Sequence, residues 1–127
     1  MRRSLALTLA LSATLLTLAC GDGSPSGLAT GGSGNVVIAV TSVVTPTFSW
    51  TGGNARRLTV TSSSGAGIYW DVETLNATTG FRSPAVHGVV TSGARENSPD
   101  VQLIQGTDFR LNVTIVDGSE GTRVFRP

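Results

Sequence analysis

Lysine is absent from this chain of 127 residues, and cysteine, histidine, methionine and tyrosine occur once each. A single cysteine excludes an internal disulfide, and one histidine beside it cannot build a His/Cys metal cluster. A lone histidine also leaves any Ser-His-Asp arrangement without redundancy. Charged residues make up only 13% of the chain, and nine arginines against eight acids give a formal net charge of +1. A near-neutral chain with no basic run has no electrostatic reason to bind nucleic acid. No apolar run reaches the ~20 residues that a membrane-spanning helix needs. No stretch beyond the first twenty residues holds a 3.6-residue apolar period for three turns, and no Gly-rich segment has phosphate-loop spacing.

What is present begins with Met1-Arg2-Arg3, a short positive segment. Ser4 to Ala19 then runs uncharged, mostly as Leu, Ala and Thr, to a small residue just before Cys20. This is the layout of a secretory signal. Leu and Ala fall on every side of a helix drawn through it, which argues against an amphipathic helix packed on the domain. The run Leu16-Thr17-Leu18-Ala19-Cys20 resembles the lipobox of bacterial lipoproteins. That resemblance implies removal of residues 1–19, with a diacylglyceryl thioether and an acylated amine (palmitate-type chains) on Cys20. The alternative is an ordinary signal peptide cut near Cys20, leaving a free thiol. Each buried acyl CH₂ contributes about 0.8 kcal/mol, so several chains would hold the protein on a membrane nearly permanently. Loss of Arg2 and Arg3 leaves 9 − 2 = 7 arginines against eight acids, a formal charge of −1. Asp22 lies one place beyond the position that the resemblance associates with inner-membrane retention. In a cell with two membranes, the outer one is therefore the expected location.

Residues 20–34 are rich in Gly and Ser, and Leu28 is their one sizeable apolar side chain. Such a segment buries too little surface to fold and spans roughly 20 Å as a flexible coil. From Asn35 the texture changes to short runs of Val, Thr, Ile and aromatics between Gly, Ser, Asn and Pro clusters. This predicts one all-β domain over 35–127, with about seven strands. Phe109, Leu111, Val113 and Ile115 alternate with Arg110, Asn112 and Thr114, and Asp117 to Gly121 turns the chain into a partner strand over 122–125. Val36 to Val43 reads as a continuous strand. Phe48 with Trp50, Leu58 with Val60, and Ile68 with Trp70 and Val72 are expected to face inward. Tyr69, Asp71 and Glu73 fall on the opposite face, as do Arg57, Thr59 and Thr61. Val86 to Thr91 and Val101 to Ile104 are weaker strands.

The stretch Leu103-Ile104-Gln105-Gly106-Thr107-Asp108-Phe109-Arg110-Leu111-Asn112-Val113 resembles the approach to strand F of a fibronectin type III domain. Pro46-Thr47-Phe48-Ser49-Trp50 is similar to that family's strand B, whose Trp is a core residue. The resemblance implies a seven-stranded immunoglobulin-like β-sandwich. Phe109 stands where the family carries the tyrosine of its tyrosine corner, so the hydroxyl bond of that corner has no donor here.

Chemistry-bearing residues are sparse. His87, in Ser83-Pro84-Ala85-Val86-His87-Gly88, reads as a surface or edge-strand residue. Asp71 and Glu73 share a strand face, and paired carboxylates can serve as glycosidase acid and base or as calcium ligands. The plainer reading is a solvated face that discourages strand addition. Asp117-Gly118-Ser119-Glu120 is shorter than a calcium loop. Asn76-Ala77-Thr78 and Asn112-Val113-Thr114 match a glycosylation pattern that carries little weight in a bacterial chain. Tyr69 beside Asp71 and Glu73 could stack on a sugar ring. The sequence thus predicts a lipid-anchored, monomeric envelope protein that is not an enzyme and holds no cofactor or metal. Its role would be to bind or space an envelope protein or glycan. A carbohydrate-binding or adhesive module is the runner-up, and a hydrolase a distant third.

Overall fold

A computed structural model describes residues 36–127. The signal (1–19), Cys20, the linker and Asn35 lie outside the described residues. The described chain forms eight strands: β1 (Ile38–Val40), β2 (Thr47–Trp50), β3 (Ala55–Ser62), β4 (Ile68–Thr74), β5 (Ala85–Val86), β6 (Ala94–Ser98), β7 (Phe109–Ile115) and β8 (Glu120–Phe125). They make a three-stranded sheet, β1-β2-β5, packed on a five-stranded sheet, β6-β4-β3-β7-β8. Every strand pairing is antiparallel. The all-β sandwich read from the texture of the sequence is the architecture observed.

Alternation sets the core. Leu58 and Val60 from β3, Trp70 and Val72 from β4, and Phe109, Leu111, Val113 and Ile115 from β7 point between the sheets and are buried. They meet Phe48 and Trp50 from β2 and Val36, Ile38 and Val40 from β1. Phe48 packs edge-on against Phe125, with ring centroids 5.5 Å apart. Trp50 packs edge-on against Phe81 at 5.8 Å and donates its indole N–H to Gly53 O at 3.1 Å. That bond satisfies the one polar atom a buried Trp brings with it. Gly121 lets β1 lie close to β8: a Cβ there would stand 2.8 Å from Val36 Cγ1 and 3.0 Å from Ile38 Cδ1.

Several expectations are corrected. The first strand ends at Val40, because the chain bends over 42–45 and leaves Val43 and Val44 exposed. Val86 to Thr91 shrinks to the two residues of β5 and a turn, with Val89 and Val90 outside. Val101 to Ile104 forms no strand, although Leu103 alone is anchored in the core. The eighth strand, β6, is Ala-Arg-Glu-Asn-Ser and has no apolar face to announce it. It forms by bonding to the edge of β4. Ile68 is half-exposed rather than inward, since the β3–β4 register slips between Val60 and Thr61. A bulge of this kind sets two successive residues against one and turns the side chains beyond it.

The antiparallel registers also fix the two poles of the sandwich. Val36 lies at the pole that carries the connections 51–54, 75–84 and 116–119. The connections 41–46, 63–67 and 99–108, together with Pro127, lie at the other.

Candidate functional site

The outer face of the five-stranded sheet gathers most of the polar side chains. Arg57 and Thr59 on β3 stand opposite Glu73 and Asp71 on β4. Glu73 in turn stands opposite Arg95 on β6. Arg57 grips Asp71 with two bonds, Nε to Oδ1 at 2.8 Å and Nη2 to Oδ2 at 2.7 Å. Thr59 adds its hydroxyl to Oδ1 at 3.2 Å. Such a bidentate arginine–carboxylate fork is among the stronger charge-assisted bonds. Asp71 is therefore not the solvated face residue the sequence suggested: its side chain is only 4% exposed, against 51% for Arg57. Burial alone would push the Asp71 carboxyl up, but the bonds and charge of Arg57, helped by Thr59 and Asn97, outweigh it and hold it below its ordinary value.

Glu73 is more open. Arg95 Nη2 donates to its Oε2 at 3.1 Å and Asn97 Nδ2 at 3.2 Å. The Arg95 bond, followed by that of Asn97, holds the Glu73 carboxyl below its usual range. Asp71 and Glu73 are thus each bound to a cation of their own. A low-pKa carboxylate locked to arginine is a poor general acid. Beside them a shallow depression of about 480 Å³ is lined by Arg56, Arg57, Glu73, Ala77, Thr114 and Glu120.

Tyr69 does not join this group as a free ring. It is half-buried and packs edge-on against the buried Phe109, with centroids 4.8 Å apart. The bulge that turns Ile68 outward accounts for this placement. Nothing in the alternation of Ile68 to Glu73 could have signalled it.

His87 also departs from its expected place. It directly follows the edge strand β5 and is buried, 5% exposed, where the sequence suggested a surface or edge-strand residue. Its ring lies edge-on to Trp70 at 5.4 Å and to Phe48 at 6.2 Å. Its Nε2 bonds Val101 O at 3.0 Å, and its backbone N–H donates to Pro46 O at 3.0 Å. His87 thus ties the 99–108 connection through its ring and the 41–46 connection through its backbone, and among the described residues its Nδ1 has no protein partner. Asp117 Oδ1 accepts from the Ser119 N–H at 2.8 Å and caps the β7–β8 turn, as a hairpin requires. Asn76 closes a similar turn on Thr78, and Asn112 accepts from the Thr122 hydroxyl across β7 and β8. Among the described residues no three His, Cys, Asp or Glu side chains converge as metal ligands.

Arg57, Thr59, Arg95 and Asn97 complete a polar cluster of which the sequence singled out only Asp71 and Glu73. The visible signal was alternation, which put Arg57 and Thr59 on the same outer face. The β3–β4 register that joins the pairs was not visible. Compared with protein-family models, curated proteins and solved structures, the chain matches none.

Proposed function

We propose that the protein is a lipid-anchored module of the bacterial cell envelope that binds or spaces a partner and carries out no chemistry of its own. The observation that carries this reading is Leu16-Thr17-Leu18-Ala19-Cys20 closing an uncharged apolar segment, followed by a Gly/Ser-rich tether and then a β-sandwich. Cys20 is the acylated residue in this reading, and the outer membrane is the site in a cell that has two. The tether enters the sandwich at Val36, so the opposite pole, with the connections 41–46, 63–67 and 99–108, is directed away from the lipid. The non-enzymatic part rests on pairing: Asp71, Glu73 and Asp108 each hold an arginine.

The domain is, in the same reading, an immunoglobulin-like sandwich of the fibronectin type III kind. The order β1-β2-β5 matches strands A, B and E of such sandwiches, and β3-β7-β8 matches C, F and G. The strands β4 and β6 extend the second sheet beside β3. Phe109, fully buried at the start of β7, supplies the packing of the missing corner tyrosine without its hydroxyl.

Metabolic labelling with a fatty-acid probe tests the anchor. Cys20→Ser should abolish labelling and slow removal of residues 1–19. Undiminished labelling of that variant would sink the lipoprotein reading.

A further inference from the structure

We propose that two copies of this chain join edge to edge through β8, about a two-fold axis at Thr122, fusing their five-stranded sheets into one sheet of ten strands. The sequence pointed to a monomer, but the described residues leave four sheet edges open. The β1 edge is three residues long and the β5 edge two. The β6 edge carries Arg95, Glu96 and Asn97, slips in register against β4, and runs into Pro99. Short length, charge, bulges and proline are the devices by which natural sheets blunt their edges. The β8 edge has least of this protection. Its six residues pair with β7 in unbroken register, without proline or bulge, and among the described residues no strand lies beyond it.

The hydrogen-bond pattern says which groups are on offer. Ile115 N–H donates to Ser119 O at 2.7 Å, so this pair bonds within the hairpin. Bonded and non-bonded pairs alternate along an antiparallel ladder. Gly121, Arg123 and Phe125 therefore spend their backbone groups on β7, while Glu120, Thr122 and Val124 direct theirs to the open side. The Asp108 carbonyl, which accepts from Ser63 N–H, and the Val116 N–H, which donates to Asn54 O, fit the same alternation on the far side of β7.

A two-fold axis allows two central registers for such an edge. Centring on Arg123 would set two guanidinium groups directly opposite, which is destabilising. Centring on Thr122 sets threonine against threonine, a favourable cross-strand pair, and places Glu120 opposite Val124 of the other copy. On each copy Val124 stands beside Arg110 on the same outer face. Glu120 of one copy and Arg110 of the other are then about 10 Å apart at the backbone, two strand spacings, within reach of both side chains across Val124. Neither residue forms an ion pair among the described residues. The pairing thus brings together two unneutralised opposite charges, twice over, and forms about six backbone hydrogen bonds, which satisfy six groups on each copy.

Cysteine cross-linking tests this in the full chain carrying Cys20→Ser, so that the introduced thiol is the only one. Thr122→Cys should form a disulfide-linked dimer at least tenfold faster than Val124→Cys or Arg123→Cys, whose counterparts are too far apart in this register. Glu120→Arg and Arg110→Glu should each slow the Thr122→Cys reaction, and combining them should restore it. Val124→Pro, which removes an outward N–H while leaving the bonds to β7, should abolish it with a retained melting transition. Equal rates at all three positions, faster reaction at Arg123→Cys, or failure of the charge swap to rescue would overturn the proposal. So would a Thr122→Cys chain that stays monomeric while its β8 edge captures an extended strand of another protein.

Discussion

Removing Arg57 should destabilise the domain more than removing Asp71, even though the two make the same pair of bonds. The asymmetry comes from exposure: the Arg57 side chain is half in water, while that of Asp71 is 4% exposed. Breaking a fully buried ion pair by deleting one partner costs about 3–5 kcal/mol, most of it the penalty on the charge left behind. Arg57→Met leaves the Asp71 carboxylate with the Thr59 hydroxyl at 3.2 Å. Half-exposure of the arginine scales the cost down, to about 2–3 kcal/mol. Asp71→Leu leaves a guanidinium that water can reach, for about 1 kcal/mol. The double variant should cost about 1 kcal/mol, so the two changes couple by about 2–3 kcal/mol.

Acid supplies the sharper check. Because the Asp71 carboxyl is held below its ordinary value, its contribution is fully present above the unfolded pKa of about 3.9 and is lost as pH falls through the folded value. In Arg57→Met burial dominates, the folded value rises, and the destabilisation present at neutral pH is relieved in acid. The gap between parent and variant in urea unfolding should therefore narrow steeply from pH 7 to pH 3. A gap that is the same at both pH values, or a larger cost for Asp71→Leu than for Arg57→Met, would refute the reasoning.

Three further predictions rest on packing. Phe109→Ala removes a fully buried ring that touches both Tyr69 and Phe125, and should cost about 3–5 kcal/mol, read as a lowered urea midpoint. Trp50→Ala should cost a similar amount, since its ring covers Phe81 and its N–H holds Gly53. Gly80→Ala should destabilise by more than about 1 kcal/mol, where the same change at a permissive backbone position would stabilise. Gly80 has φ +65°, and a Cβ there would stand 2.6 Å from Val116 Cγ2 and 2.7 Å from Ala55 O. A normal thermal midpoint for Gly80→Ala would show that the 76–80 turn yields more readily than this packing allows.

The parts of the fold legible in the sequence are those in which one strand carries its own alternation. Phe109 to Ile115 is buried at every second residue, and Leu58 with Val60 and Phe48 with Trp50 behave the same way. The illegible parts depend on a neighbour. Ala94 to Ser98 is a strand only because β4 offers it an edge, and Phe81 enters the core only because Ala55 and Phe81 exchange backbone bonds at 2.8 Å. A single slip between Val60 and Thr61 separates the expected role of Tyr69 from the observed one. Two-residue periodicity assigns faces on the assumption of an unbroken ladder, and one bulge reverses the assignment for everything beyond it. The same limit governs the candidate site. Asp71 and Glu73 were visible as a same-face pair, but whether they faced water or arginine depended on which β3 and β6 residues stood opposite, and that is a property of register. The β7–β8 hairpin is the counter-case. Its turn residues, Val116 to Ser119, fix the register from local chemistry alone, and for that reason the outward set Glu120, Thr122 and Val124 follows directly from one bond between Ile115 and Ser119.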